Sequence, residues 1–278
     1  RRQARAVREA DGDQRPSGAT NVEEGQIDRI DRKIAHEFRF ASSRVRVKEL
    51  IDEGYVGPLH MALMSLAVGL RNGFRARPWR DSDDAASGGG FLGGLGSHYI
   101  DCLRNWFGEM SAVSGSMNTH FADRTYEDLA ESVEATSDDT YDFVLEFSSG
   151  GWAAMTGTSA ALFGSGARVE IYGKDGTLVT PQPGAGFNPP PLGTFLGAQA
   201  GDEELAELQI PERLEPFSDD QGGRMMPFRM LVQEFVQGIA DGTSPAPNFL
   251  DGLRRQEIMT AIRESSFTGE KVRFRTIA

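Results

Sequence analysis

The sequence predicts an α+β fold, with an open, largely antiparallel mixed sheet and helices packed on one face. Alternating apolar segments follow one another from residue 110 to residue 180, as neighbouring strands of a sheet do. Two segments with apolar residues at helical spacing come after them, at 225–240 and 248–265. Consecutive strands followed by helices are typical of an antiparallel sheet with helices on one face.

The N-terminal residues contain almost no apolar side chains, so burial could not offset the entropy lost on ordering them. We therefore predict a disordered or irregular arm at 1–33 and one domain at 34–278. The first predicted elements of the domain are a half-buried strand at 34–40, a helix from Ser42 or Ser43 to Glu53, and a turn with a long strand at 55–70.

A glycine-dense loop, residues 87–96, comes before the helix that is most informative about function. Glycines let the backbone approach a ligand closely, and Ser97 is predicted to be the N-cap of the helix. His98 and Asp101 are three residues apart, so both are expected on one face at the start of the helix. Cys102 lies on an apolar face and is expected to be a packing residue.

The remaining elements are strands and two final helices. Predicted strands lie at 110–119, 141–147, 151–160, 167–172, 177–180 and 271–277. Residues 123–139 are expected to be a solvated connection rather than a metal site, and 181–220 a long excursion from the sheet. The predicted buried side chains of the helices are Phe228, Leu231, Val232, Phe235, Val236 and Ile239 in the first, and Leu250, Leu253, Ile258, Ala261 and Ile262 in the second, which Asn248 caps.

Composition narrows the possible functions. The 278 residues carry a net charge of −12, which argues against nucleic acid or an anionic membrane as a partner. A single cysteine excludes an intrachain disulfide framework and a cysteine-rich zinc site, and no metal site is predicted. The sequence has no apolar run of membrane-spanning length and no signal peptide, so a cytoplasmic location is expected. No G-x-G-x-x-G motif lies between a strand and a helix, so the sequence shows no cofactor-binding site and identifies no cofactor-binding residues.

Three stretches of the chain, taken in order, resemble one family. They are His36–Phe40 followed by Glu49–Gly57, Gly88–Gly90 through Gly96–Asp101 to Gly108–Glu109, and Asn248–Glu257. They are similar to the C-terminal domain of the Gfo/Idh/MocA oxidoreductases, the family of glucose–fructose oxidoreductase and inositol dehydrogenase, over residues 34–275. Members of this family pair an N-terminal Rossmann domain that binds NAD or NADP with this domain, whose open sheet covers the substrate and often forms the oligomer interface.

The resemblance implies that His98 is the active-site histidine, close to a hydroxyl of a sugar or polyol. A helix N-terminus disfavours imidazolium, so we expect His98 to be a neutral acceptor near neutral pH. Hydride would pass from the substrate carbon to nicotinamide as the hydroxyl proton moves to a base. The expected substrate-binding residues are Asp101, Arg39, His36, Trp79 and Arg80. Structural roles are the alternatives: orientation of His98 or stabilisation of the helix N-terminus for Asp101, a solvated strand end for Arg39 and His36, and a core anchor for Trp79.

Two features depart from the family pattern. Gly94 stands where many members have an aspartate, and neither the Glu-Lys-Pro motif nor the Rossmann domain is present in this sequence. We therefore expect the substrate-binding domain of an NAD(P)-dependent oxidoreductase acting on a sugar, polyol or related hydroxylated compound, not competent by itself. A catalytically silent ligand-binding or oligomerisation module is the alternative. Homo-oligomers through the open sheet are expected in either case, because an uncovered face leaves apolar surface in water.

Overall fold

A mixed nine-stranded sheet is the centre of the computed structural model, which describes residues 33–68, 84–126, 131–183, 195–217 and 225–274. The strands are β1 (Leu59–Ala67), β2 (Met110–Asn118), β3 (Asp123–Tyr126), β4 (Glu131–Glu134), β5 (Thr140–Phe147), β6 (Trp152–Thr158), β7 (Gly166–Gly173), β8 (Gly176–Pro183), β9 (Phe195–Gln199), β10 (Ala206–Leu208) and β11 (Val272–Arg273). The order across the sheet is β10–β9–β8–β7–β1–β6–β5–β2–β11, and β3 pairs with β4 in a separate hairpin.

The pairing confirms the predicted fold class. At the centre of the sheet, β1 runs parallel to β6, with Met64 opposite Met155, and antiparallel to β7, with Met64 opposite Val169. The other neighbouring strands of this sheet pair antiparallel. Both predicted hairpins, β5–β6 and β7–β8, are present.

Four α-helices accompany the sheet within the described residues. They are α1 (Ser42–Asp52), α2 (Ser97–Phe107), α3 (Met226–Asp241) and α4 (Phe249–Thr268). Alternate side chains of the strands face α2 and α4 and form the core with them. Its members include Tyr141, Phe143, Leu145, Met155, Ile171, Ile100, Leu103, Trp106, Ile258 and Ile262. The predicted cap of α4 is confirmed, since Asn248 accepts from the amides of Leu250 and Asp251 in a capping box.

The strand predicted at 34–40 is wrong. Residues Glu37–Phe40 form a 3₁₀ turn. Phe38, Arg39 and Phe40 are all buried, whereas a half-buried strand exposes every second side chain. The alternating pattern is too short to separate a strand from a buried turn. Of the predicted arm, residues 1–32 lie outside the described residues, and Lys33 pairs with Asn248 in an isolated bridge.

Two segments, one predicted to be a solvated connection and the other a long excursion from the sheet, contain ordered structure instead. The connection at 123–139 includes the β3–β4 hairpin, and its last residues, Ser137, Asp138 and Asp139, are buried. Asp139 is not solvated, because it accepts from the amide of Phe121 at 2.7 Å. In the predicted excursion, β9 and β10 extend the sheet beyond β8, while 184–194 and 218–224 lie outside the described residues.

The predicted burial of the two final helices is wrong in part. On α3, Leu231 is buried, but Phe228, Val232, Val236 and Ile239 are exposed, with Val236 at 59%. Leu250 on α4 is also exposed. Helical spacing identifies an apolar face but not the element that covers it. Among the described elements, α3 contacts mainly the 3₁₀ turn, which is too short to cover sixteen residues.

Candidate functional site

The helix that carries His98 begins before the predicted position. Residues Leu92–Gly96 form a π-helical turn that continues directly into α2. Its first amides are satisfied by Asp138, whose carboxylate accepts from Leu92 at 2.7 Å and whose carbonyl accepts from Phe91 at 2.9 Å. The predicted N-cap is therefore wrong, and Ser97 instead donates its hydroxyl hydrogen bond to the carbonyl of Gly94 at 3.0 Å. The true cap is 46 residues away in sequence, beyond the reach of local patterns.

Two glycines of this segment permit close packing within the protein. Gly90 has a φ of +105°, and a Cβ there would lie 2.0 Å from a carboxylate oxygen of Asp138. At Gly96 a Cβ would lie 3.0 Å from the hydroxyl of Tyr141. Gly94 differs, because a Cβ at that position meets no atom within 4 Å. The glycines therefore mainly allow the start of the helix to pack against the core. Residues 92–96 are helical, whereas the sequence predicted a loop.

His98 lies in a small group of aromatic and ionisable side chains. Its ring is 4.2 Å from that of Phe38 and 4.8 Å from that of His36, measured between centroids. Nδ1 is buried without a hydrogen-bond partner and lies 3.8 Å from a carboxylate oxygen of Glu37. The side chain is 18% exposed, so Nε2 is the ring nitrogen that remains accessible to a ligand.

The electrostatic surroundings keep His98 neutral. Burial lowers the pKa of His98 to about 3, and the neighbouring His36, Arg44 and Arg255 act in the same direction against the opposing effect of Asp101. A neutral His98 was predicted, but the predicted cause was its position at a helix N-terminus. The helix starts at Phe91, two turns earlier, so burial and neighbouring cations are the physical cause.

Asp101 and Arg39 form a buried ion pair behind this group. Arg39 donates from Nε to one carboxylate oxygen at 2.7 Å and from Nη2 to the other at 2.5 Å. Their side chains are 2% and 7% exposed. Burial opposes ionisation of Asp101, but the nearby ring of His36 and the hydrogen bonds from Arg39 outweigh it and hold its pKa below the usual value. The structure therefore brings four predicted site residues together, His98, His36, Asp101 and Arg39, and Asp101 and Arg39 bind each other.

His36 connects this ion pair to an arginine that the sequence did not single out. Nε2 of His36 lies 2.5 Å from Nη1 of Arg255 on α4. A guanidinium only donates, so Nε2 accepts and the ring proton is on Nδ1, which lies 3.7 Å from an Asp101 oxygen. Arg255 falls within the third family-like stretch, but the sequence gives no reason to prefer it to Arg254. Trp79 and Arg80, the other two predicted site residues, lie outside the described residues.

The described residues contain neither a membrane-spanning helix nor a metal-ligand cluster. The described helices include none that is long and apolar enough to cross a membrane. Within the described ranges, no three His, Cys, Asp or Glu side chains are grouped so that they could hold a metal ion. Cys102 is buried, as expected of a packing residue, and burial raises its pKa to about 12.

Comparison with protein families and sequences gave two matches. The family described as the oxidoreductase family, C-terminal alpha/beta domain (Gfo/Idh/MocA), matches residues 48–274. An uncharacterized oxidoreductase of Synechocystis sp. is 29% identical over 231 residues, which are 82% of this chain and 61% of that protein. The chain thus spans less than two thirds of the length of this relative.

Solved structures of similar fold include oxidoreductases with nicotinamide nucleotides. An NAD binding oxidoreductase from Klebsiella pneumoniae has a TM-score of 0.77 and 23% identity, covering 94% of this chain and 70% of that one. Levoglucosan dehydrogenase in complex with NADH and levoglucosan has a TM-score of 0.74 and 22% identity, covering 90% and 67%. At these identities the likeness establishes the shared fold.

Proposed function

Because this chain belongs to the Gfo/Idh/MocA oxidoreductase family, whose C-terminal α/β domain matches residues 48–274, we propose that it supplies the substrate side of a hydride transfer. The substrate is a sugar, polyol or related hydroxylated compound, and the hydride acceptor or donor is NAD or NADP. The observation that carries this proposal is His98, a neutral and partly exposed imidazole at the edge of a buried charged group.

His98 acts through its accessible nitrogen. A ring with a pKa near 3 is neutral at neutral pH and carries one proton. The carboxylate of Glu37, 3.8 Å from Nδ1, favours that proton on Nδ1, so Nε2 is a hydrogen-bond acceptor for a substrate hydroxyl. That hydrogen bond orients the hydroxyl whose carbon loses hydride. Asp101 and Arg39 contribute indirectly in this proposal. Their ion pair holds residues 36–39 in place, and His36 and Phe38 of this segment pack against the imidazole of His98.

The described residues do not provide a nucleotide-phosphate site at the start of the His98 helix. When bound, a nicotinamide cofactor supplies hydride chemistry, and dinucleotide phosphates commonly sit on free amides at a helix N-terminus. Here the amides of Phe91 and Leu92 are already bonded to Asp138. We therefore assign no cofactor-binding residue to this chain and propose that the nicotinamide is held outside the described residues.

Ligand binding tests this proposal. A panel of neutral sugars, polyols and their acids, titrated into the protein and followed by NMR, should produce saturable shifts of the His98 ring resonances. NADH and NADPH should bind no more tightly than about millimolar, since the first two amides of the described helix start are already bonded to Asp138. A panel in which no polyhydroxy compound moves the His98 resonances would contradict the substrate assignment. Micromolar nucleotide binding would contradict the division of roles.

Self-association belongs to the same proposal. Trp152 on β6 is 38% exposed, and Val144 on β5 is exposed beside it, on the face of the sheet opposite α2 and α4. An apolar patch on a sheet face favours association with a second copy. Sedimentation velocity should therefore show a concentration-dependent oligomer that Trp152→Glu weakens. A monomer at all concentrations would contradict the proposal.

A further inference from the structure

Among the described residues, Arg255 is a partly buried cation that forms no ion pair with a carboxylate. Its contact with another side chain in the described residues is with a neutral ring nitrogen of His36, and its Nε is buried with no hydrogen-bond partner. Asp101 is near enough to influence Arg255, but both of its oxygens accept from Arg39. Asp251, at the start of the same helix, pairs with Arg104.

Arg255 therefore differs from Arg39, whose charge is paired with the carboxylate of Asp101. A partly buried guanidinium without a carboxylate partner loses hydration that only another anion restores. Nη2 of Arg255 has no hydrogen-bond partner among the described residues and, unlike Nε, is not buried. This end of the guanidinium is therefore open to a ligand.

We propose that Arg255 is an anion-binding residue of the His98 site and that the substrate is a carboxylate-bearing sugar or polyol. This inference rests on the proposed function. A hydroxyl of the substrate bonds to His98 while its carboxylate bonds to Arg255, which contacts the same His36 ring. The single guanidinium of Arg255 matches one carboxylate better than a pyrophosphate. Guanidinium donors and carboxylate oxygens also form strong charge-assisted hydrogen bonds.

The same geometry predicts how the ligand acts on His98. Arg255 is one of the positive charges that disfavour imidazolium at His98. A carboxylate that neutralises Arg255 removes part of that effect, so the bound ligand makes His98 a better proton acceptor. Substrate binding and proton acceptance are coupled through one arginine in this arrangement.

Matched pairs of ligands test the inference. Glucose and glucuronate, and galactose and galacturonate, are titrated into the wild-type chain, with inorganic phosphate and NADH as competitors. We expect each uronate to bind about tenfold or more tightly than its neutral partner, the difference that one charge-assisted hydrogen bond makes. Arg255→Gln should remove this preference, so that each uronate binds within about twofold of its neutral partner.

Control variants separate the charge at this position from charge in general. Arg254→Gln removes the same charge from the adjacent residue, which pairs with Glu257, and should keep the preference. Arg255→Lys retains the charge and should keep part of it. If Arg255→Gln does not fold, as judged by circular dichroism, the wild-type comparison of acid with neutral sugar still decides.

Each other outcome overturns the inference in a recognisable way. Equal binding of neutral sugars and uronates overturns it and leaves the proposed function intact. Competition by phosphate or NADH that disappears in Arg255→Gln assigns the anion to a nucleotide and overturns the substrate class. Absence of binding by both members of every pair overturns the inference together with the proposed function.

Discussion

Asp101→Ala is expected to lower the free energy of unfolding by about 3–5 kcal/mol, the cost of removing one partner from a buried ion pair. Both carboxylate oxygens accept from Arg39, and the side chains of the pair are almost fully buried. The substitution leaves the Arg39 guanidinium without an anion, and it removes the carboxylate toward which Nδ1 of His36 points. Urea denaturation of both proteins measures the difference.

Two control variants identify the source of this loss. Asp52→Ala makes the same change in a solvent-exposed pair with Lys48, and should cost less than about 1 kcal/mol. Arg39→Met combined with Asp101→Leu replaces both charges with apolar side chains and should recover most of the loss. A double variant as unstable as Asp101→Ala would show that the network with His36, rather than the unpaired charge, determines stability.

The parts of the fold that local patterns determine were predicted well. Strands β5 to β8 alternate apolar and polar residues because one face is buried, and α4 carries its own cap at Asn248. The start of the His98 helix was not predictable, because its amides bond to Asp138 from a different part of the chain. The 3₁₀ turn at Glu37–Phe40 was missed because tertiary packing buries its consecutive residues.

The candidate site was predictable only in part for a related reason. Helical spacing placed His98 near Asp101, and the family resemblance added His36 and Arg39. The sequence did not show that Arg39 and Asp101 neutralise each other, since the residues are 62 positions apart. Nor did it distinguish Arg255 from Arg254, because only the rotation of α4 decides which arginine meets His36.

The stability of the protein should fall in acid because His98 is buried in its neutral form. Its pKa is about 3 in the folded state, against an ordinary value of 6.5, so the unfolded chain binds a proton that the folded one does not. The resulting stabilisation is fully present above pH 6.5 and decreases below it. Linkage gives a loss of about 1.4 kcal/mol at pH 5.5 and about 2.7 kcal/mol at pH 4.5.

His98→Gln should remove this acid dependence, because glutamine does not titrate. The difference in unfolding free energy between wild type and His98→Gln should therefore change by about 2–3 kcal/mol between pH 7 and pH 4.5, in favour of the variant at acid pH. His60→Gln, at the exposed start of β1, is the matched control and should parallel the wild type. Parallel curves for His98→Gln would mean that His98 reaches solvent as imidazolium. In that case the imidazole would not be the neutral acceptor on which the proposed hydroxyl contact depends.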